Sequence, residues 1–166
     1  MRVFLVGYMG CGKTTVGKKL ANKLGYQFAD LDDHIQQRSG QTITEIFKSR
    51  GEDCFRKMEA EALRTLVHPD IVVATGGGCA IHHQNMDHML QSGVTVYLKM
   101  SPEMAYSRLK DAKRERPLLK DLKQNDMLEW IKSQMAQREE YYAKAEIIHP
   151  AININTDELI RVIQSR

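Results

Sequence analysis

The sequence predicts an α/β fold: a parallel β-sheet of five strands covered by helices on both faces, with ligands gathering at the carboxyl ends of the strands. Three observations predict it. Five short stretches rich in Val, Ile, Phe and Leu alternate with helical patterns, a glycine-rich string follows the first of them, and a run of glycines follows the third. The strands are expected at Arg2 to Val6, Gln27 to Leu31, Ile71 to Thr75, Val94 to Lys99 and Ala151 to Asn155. After the first strand, Val16, Leu20 and Leu24 recur at helical spacing and Gly25 is placed to stop that helix. Thr42-Ile43-Thr44-Glu45 has capping-box spacing and opens a short helix ending at Gly51, followed by a second from about Glu52 to Val67. Ser101-Pro102-Glu103 starts another helix with proline at its first position, and a long helix runs from Asn125 to about Ala143. Between these two, Arg108 to Lys123 is crowded with charge and interrupted by Pro117, which marks it as a candidate mobile flap.

At 166 residues the chain has the length of one ordinary domain, and a single domain spanning 1–166 is expected. Apolar residues at 42% and charged residues at 27% are globular composition, and no apolar run approaches the roughly 20 residues of a membrane span. Met1 to Val6 is too short an apolar run for a secretory signal and meets Gly7 at once. A net charge of +3 suits small anionic ligands better than a nucleic-acid backbone. Cys11, Cys54 and Cys79 are odd in number and show no CxxC spacing, which argues against a disulfide framework or structural zinc and favours a reducing, cytoplasmic setting.

Gly7-Tyr8-Met9-Gly10-Cys11-Gly12-Lys13-Thr14 matches GxxxxGK[ST], directly after a strand and opening a helix. Glycines let successive backbone N–H groups converge on phosphate oxygens, the helix N-terminus adds its positive end, and Lys13 reaches the outer phosphates. Thr14 is placed to ligate Mg²⁺ held by those phosphates, so ATP or another nucleoside triphosphate is the expected ligand, cradled by Gly10, Cys11, Gly12, Lys13, Thr14 and Thr15.

Asp30 and Asp32, with Asp33 following, lie at the end of the second strand, where one could assist magnesium and another could accept a proton from a hydroxyl nucleophile. Simple capping of the next helix is the competing reading. Arg56 and Glu59 are three apart on a helix whose apolar stripe is Phe55, Met58, Ala62 and Leu66; taken alone, such a pair reads as a weak surface salt bridge. Arg138 falls on the same stripe as Ile131, Met135 and Tyr142, a costly place for an arginine unless an anion meets it or the side chain snorkels. Gly76-Gly77-Gly78 leaves the end of the third strand bare, so a ligand could approach the backbone there.

Taken together, these residues resemble the shikimate kinase family, over nearly the whole chain. The likeness is carried by GYMGCGKT at Gly7, FADLD at Phe28, GQTITEIFKSRGEDCFRKME from Gly40 to Glu59, ATGGG at Ala74, RPLL at Arg116 and QREEYY at Gln137. The resemblance implies a three-layer P-loop fold with strand order 2-3-1-4-5, substrate-binding helices over about 33–67 and a mobile lid over about 108–123. It implies transfer of the ATP γ-phosphoryl group to the 3-hydroxyl of shikimate, on the route to aromatic amino acids. It would make Asp32 the partner of the reacting hydroxyl and place Asp30 behind the magnesium. Arg56 and Arg138 would hold the shikimate carboxylate, with Glu59 orienting Arg56 and Gly77 and Gly78 lining the ring. Arg116 would swing in to neutralise charge on the transferred phosphate, Arg108 would lie against adenine, and Asn155 and Thr156 would form the adenine-side loop. Cys11 stands where many relatives have Ser. The expected partners are ATP, shikimate and Mg²⁺, with no nucleic acid and no membrane, and the chain working as a monomer.

A kinase of gluconate or of a nucleoside would share the cradle and the sheet; the arginine pair is what separates it. A GTPase switch would need an NKxD guanine reader, and the nearest string, Asn22-Lys23-Leu24-Gly25, lacks the Asp. His82, His83 and His88 share no recognised ligand spacing and read as surface, and Trp130 reads as a packing residue.

Overall fold

The computed structural model describes residues 1–110 and 124–166, and of residues 124 and 125 the backbone alone. The elements run β1 (Arg2–Val6), α1 (Lys13–Leu24), β2 (Gln27–Asp30), α2 (Leu31–Ser39), α3 (Ile43–Thr65), β3 (Ile71–Ala74), a 3₁₀ turn (Cys79–Ile81), α4 (Asn85–Ser92), β4 (Val94–Lys99), α5 (Pro102–Leu109), α6 (Gln124–Tyr142), β5 (Ile147–Pro150) and α7 (Thr156–Gln164). The strands form one sheet in the order β2-β3-β1-β4-β5, every pair parallel. Val3, Phe4, Leu5 and Val6 are consecutive and all buried, as are Val72 and Val73, so both faces of the central strands are covered, as a parallel sheet requires.

Local chemistry explains the helix boundaries. Thr42 and Glu45 close a reciprocal capping box: Thr42 Oγ1 accepts from the Glu45 amide at 3.2 Å and Glu45 Oε2 accepts from the Thr42 amide at 2.7 Å. The expected pair of helices before β3 is present as α3 broken at Gly51, whose φ of 79° interrupts the helical backbone. Ser101 caps α5 with Pro102 at its first position. Ile131, Met135, Arg138 and Tyr142 share the buried face of α6, as their spacing predicts.

The fifth strand lies earlier than the sequence pattern places it, at Ile147–Pro150 rather than Ala151 to Asn155. β5 is an edge strand, where a proline is tolerated, and Pro150 at its end pairs with Lys99 while Ala151 donates to the Lys99 carbonyl at 2.7 Å. The alternating Ala151 to Asn155 stretch is not a strand: Asn153 has a φ of 49°, Ile152 is exposed and Asn155 caps α7.

Because β2, β3 and β1 are neighbours, the segments leaving their carboxyl ends meet at one edge of the sheet. Those segments are the Asp30 to Asp32 corner, Thr75 to Gly78, and the loop from Gly7 to Gly12. Among the described residues no helix is long and apolar enough to cross a membrane.

Candidate active site

The Gly7 to Thr14 loop joins β1 to α1, with Gly12 at the N-cap in a left-handed conformation (φ 93°) and no side chain capping the helix. The first amides of α1 therefore have no side-chain acceptor from the cap residue, the arrangement that receives anions. Lys13 is buried and stitches the loop together: its Nζ donates to the carbonyls of Gly7 (2.6 Å) and Tyr8 (3.0 Å) and lies 3.5 Å from Cys11 Sγ. Gly10, Gly12, Lys13, Thr14 and Thr15 line a cleft of about 630 Å³. Cys11 does not line it; its side chain is buried beside Lys13 Nζ.

The capping reading of Asp30 holds, and its second oxygen is engaged by the loop. Its Oδ1 accepts from the Asp32 amide at 3.1 Å and so caps α2, while its Oδ2 accepts the Thr14 hydroxyl at 2.6 Å. Asp32 is not on a strand face shared with Asp30, because β2 ends at Asp30 and Asp32 sits in the first turn of α2.

A second cavity, of about 490 Å³, adjoins the first. Arg56 and Glu59 from α3, Gly76 to Gly78, and Arg138 from α6 supply its polar side, and Ile43, Phe47 and Phe55 its apolar wall. The Arg56–Glu59 pair is not a surface bridge: Arg56 is 5% exposed and Glu59 0%. Arg56 Nη1 donates to Glu59 Oε2 at 3.0 Å, and Nε and Nη2 donate to Glu52 Oε1 at 3.2 and 3.0 Å. Burial works against the Arg56 charge, and Glu59 and Glu52 more than compensate and raise its pKa. Burial pushes Glu59 up to about 7; Arg56 opposes the shift and the nearby Asp32 adds to it.

The glycine run has a cause the sequence did not reveal. A Cβ on Gly78 would stand 2.5 Å from Arg56 Nη2, and one on Gly76 would stand 2.5 Å from Glu59 Oε1 and 3.2 Å from Asp32 Oδ1. The protein's own charged side chains, as well as any ligand, need that bare backbone.

Arg138, 4% exposed, donates from Nη1 to the Gly77 carbonyl (3.2 Å) and from Nη2 to Gln134 Oε1 (2.8 Å). Its guanidinium carbon lies 5.2 Å from the centre of the Tyr8 ring, and the Tyr142 hydroxyl donates to the same Gly77 carbonyl. Burial pushes the Tyr8 phenol up to about 12, with Arg138 pulling the other way. Sequence reasoning missed Tyr8 and Glu52. Glu52 had a signal in its i,i+4 spacing to Arg56; Tyr8 occupies a variable position of the loop motif and had none.

Arg108 bridges the loop and the β5–α7 connection, donating to the carbonyls of Gly10 and Ala151, both at 3.0 Å. Asn155 spends its Oδ1 on the amides of Asp157 and Glu158 as the α7 cap. Arg116 and the rest of the expected flap beyond Lys110 lie outside the described residues. Trp130 is partly buried against the core. Among the described residues no group of three or more His, Cys, Asp or Glu is placed to hold a metal. The Thr14 hydroxyl and Asp30 carboxylate are hard oxygen donors beside the phosphate cleft and fit Mg²⁺, which keeps waters and phosphate oxygens in its shell rather than a protein cage.

The family model and the relatives above 30% identity point to one family. The family model described as shikimate kinase matches residues 9–166. A shikimate kinase of Parabacteroides distasonis is 41% identical over 165 residues, covering 99% of this chain and 95% of that protein. Among solved structures, the shikimate kinase of Bacteroides thetaiotaomicron superposes with a TM-score of 0.90 at 35% identity, covering 99% of this chain and 97% of the other. That of Acinetobacter baumannii, in complex with shikimate, gives a TM-score of 0.89 at 32% identity over 99% and 93%. A match from the loop methionine to the last residue, with relatives aligned over almost their whole length, places this chain in the shikimate kinase family.

Proposed function

We propose that the chain transfers the γ-phosphoryl group of ATP to the 3-hydroxyl of shikimate, as one domain acting as a cytoplasmic monomer on small-molecule substrates. One observation carries the reading: the phosphate cleft and the second cavity share Met9, Asp32, Gly76 and Gly77 as a common wall. Donor and acceptor would meet at that wall, with Asp32 between them. The relative from Acinetobacter baumannii holds shikimate, a cyclic alcohol with a carboxylate, and the second cavity offers two guanidinium groups for the charge and an aromatic wall for the ring. Few large apolar side chains stand exposed among the described residues, Met1, Val67, Ile148 and Ile152, which suits a monomer.

Phosphoryl transfer asks a protein to align its reactants and to stabilise spreading negative charge. The α1 amides and Lys13 would grip the polyphosphate. Thr14 and Asp30 would hold Mg²⁺, which when bound neutralises phosphate charge. Arg56 and Arg138 would take the carboxylate, with Glu59 holding Arg56 in place. Asp32 would orient the hydroxyl and receive its proton late, since a loose transition state leaves the nucleophile protonated until bond formation is advanced. A coupled assay of ADP release tests the assignment. Turnover is expected with shikimate and none above background with gluconate or nucleoside monophosphates; turnover with either of these and not with shikimate would overturn it.

A further inference from the structure

The two arginines of the second cavity are neutralised in different ways. Arg56 is met by two carboxylates, Glu52 and Glu59, both at 3.0 Å. Arg138 is as deeply buried, yet among the described residues it has no carboxylate in direct contact; its hydrogen bonds go to neutral groups, the Gly77 carbonyl, the Gln134 amide and the Tyr142 hydroxyl, and the charge of Glu59 reaches it only from a distance. A guanidinium taken out of water with no carboxylate in direct contact needs a further source of negative potential. The face of the Tyr8 ring, 5.2 Å from the guanidinium carbon, supplies it.

We propose that Tyr8, a phosphate-loop residue, is a positioning residue for the acceptor: its aromatic face holds the guanidinium of Arg138, which has no carboxylate in direct contact and so keeps the positive charge that captures the substrate carboxylate. The inference rests on the functional reading above and deepens it. Tyr8 suits the task because it is 1% exposed and anchored at both ends of its structure: its carbonyl accepts from Lys13 Nζ at 3.0 Å, and its ring lies in the core under Arg138. The phenolic oxygen has no hydrogen-bond partner among the described residues, so the ring rather than the hydroxyl makes the useful contact. A carboxylate at Arg138 would still find N–H groups of the fork beyond those given to Gly77 and Gln134. An aliphatic side chain could fill the same volume but would leave the cation without compensation. Arg56, already paired twice, would contribute geometry more than attraction, which makes Arg138 and its aromatic seat the principal source of selectivity for acidic over neutral cyclic alcohols.

The test uses the full chain and phenylalanines of graded fluorination at position 8, which keep the ring's shape while draining negative charge from its face. Calorimetric titration with shikimate and with ATP, each alone, reads the two sites separately. With Tyr8→Phe as the reference, affinity for shikimate should fall stepwise along the series, about tenfold in all, the factor a desolvated cation–π contact represents. Affinity for ATP should stay level. Tyr8→Leu should lose a similar factor for shikimate, with thermal melting confirming that the variant folds. A flat response to fluorination, or equal losses for ATP and shikimate, would overturn the proposal and make Tyr8 a packing residue of the loop. Failure of the natural chain to bind shikimate at all would instead sink the functional reading, so the two failures are distinguishable.

Discussion

The phosphate cleft and the acceptor cavity share a wall but are built of different materials. The cleft is built mainly around one loop: its glycines and the first amides of α1 present backbone, Lys13 adds a cation, and Asp30, Asp32 and Thr75 to Gly77 close the other side. The cavity is side chain: Asp32 from α2, Arg56 and Glu59 from α3 and Arg138 from α6, each brought in by a different part of the fold and most of them buried. A backbone site gains its field from dipoles that need no desolvated charge, so little else must be arranged around it. A site of buried charges must supply each with a partner, and the surrounding residues, Glu52, Tyr8 and the bare glycines, are the result.

Three experiments would break or sharpen that contrast, the first with the largest expected effect. Lys13→Ala removes the cleft's principal charge and should lower kcat by about 10³-fold in the ADP-release assay, in the range seen when a preorganised electrostatic contact to a transition state is lost. A tenfold loss or less would mean that the backbone alone does the electrostatic work. Gly78→Ala probes the cavity instead. Its Cβ would stand 2.5 Å from Arg56 Nη2, so the guanidinium must move, and kcat/KM for shikimate should fall roughly 30-fold while KM for ATP changes less than about twofold. Equal losses for both substrates would show that the wall, not the cavity, was damaged.

The third concerns pH. Glu59 has an ordinary value near 4.5 and about 7 in the fold, raised by burial, so the native chain holds this proton more tightly than the unfolded chain. Its contribution is intact below about 4.5 and is lost as pH rises through about 7. Between pH 5 and 8, urea unfolding should show the natural chain losing on the order of 2 kcal/mol more than Glu59→Gln. Parallel profiles would mean that Arg56 keeps Glu59 ionised throughout.

The same contrast explains what could be read from the sequence. The loop of the cleft is contiguous, so GxxxxGK[ST] after a strand was enough to locate it, and the alternation of strands and helices was enough for the sheet. Arg138 stood out because an arginine on an apolar stripe demands an explanation, and its burial bears that out. Whether Arg56 and Glu59 were surface or core could not be told from three-residue spacing, since burial depends on what α3 packs against. Asp30 could be read as a cap or as a residue behind the magnesium, but only coordinates reveal that one oxygen caps α2 while the other accepts the Thr14 hydroxyl. The fifth strand was expected at Ala151 to Asn155 because those residues alternate apolar and polar as a half-buried strand does; which stretch pairs with β4 is decided by the sheet, and the pairing ends at Pro150.

That two-handed carboxylate has a mechanical consequence. Through Asp30, the hydroxyl that would face the nucleotide is tied to the turn on which Asp32 rides. A displacement of Thr14 would therefore pass through a single carboxylate to the turn that carries Asp32, the residue that would steer the acceptor alcohol.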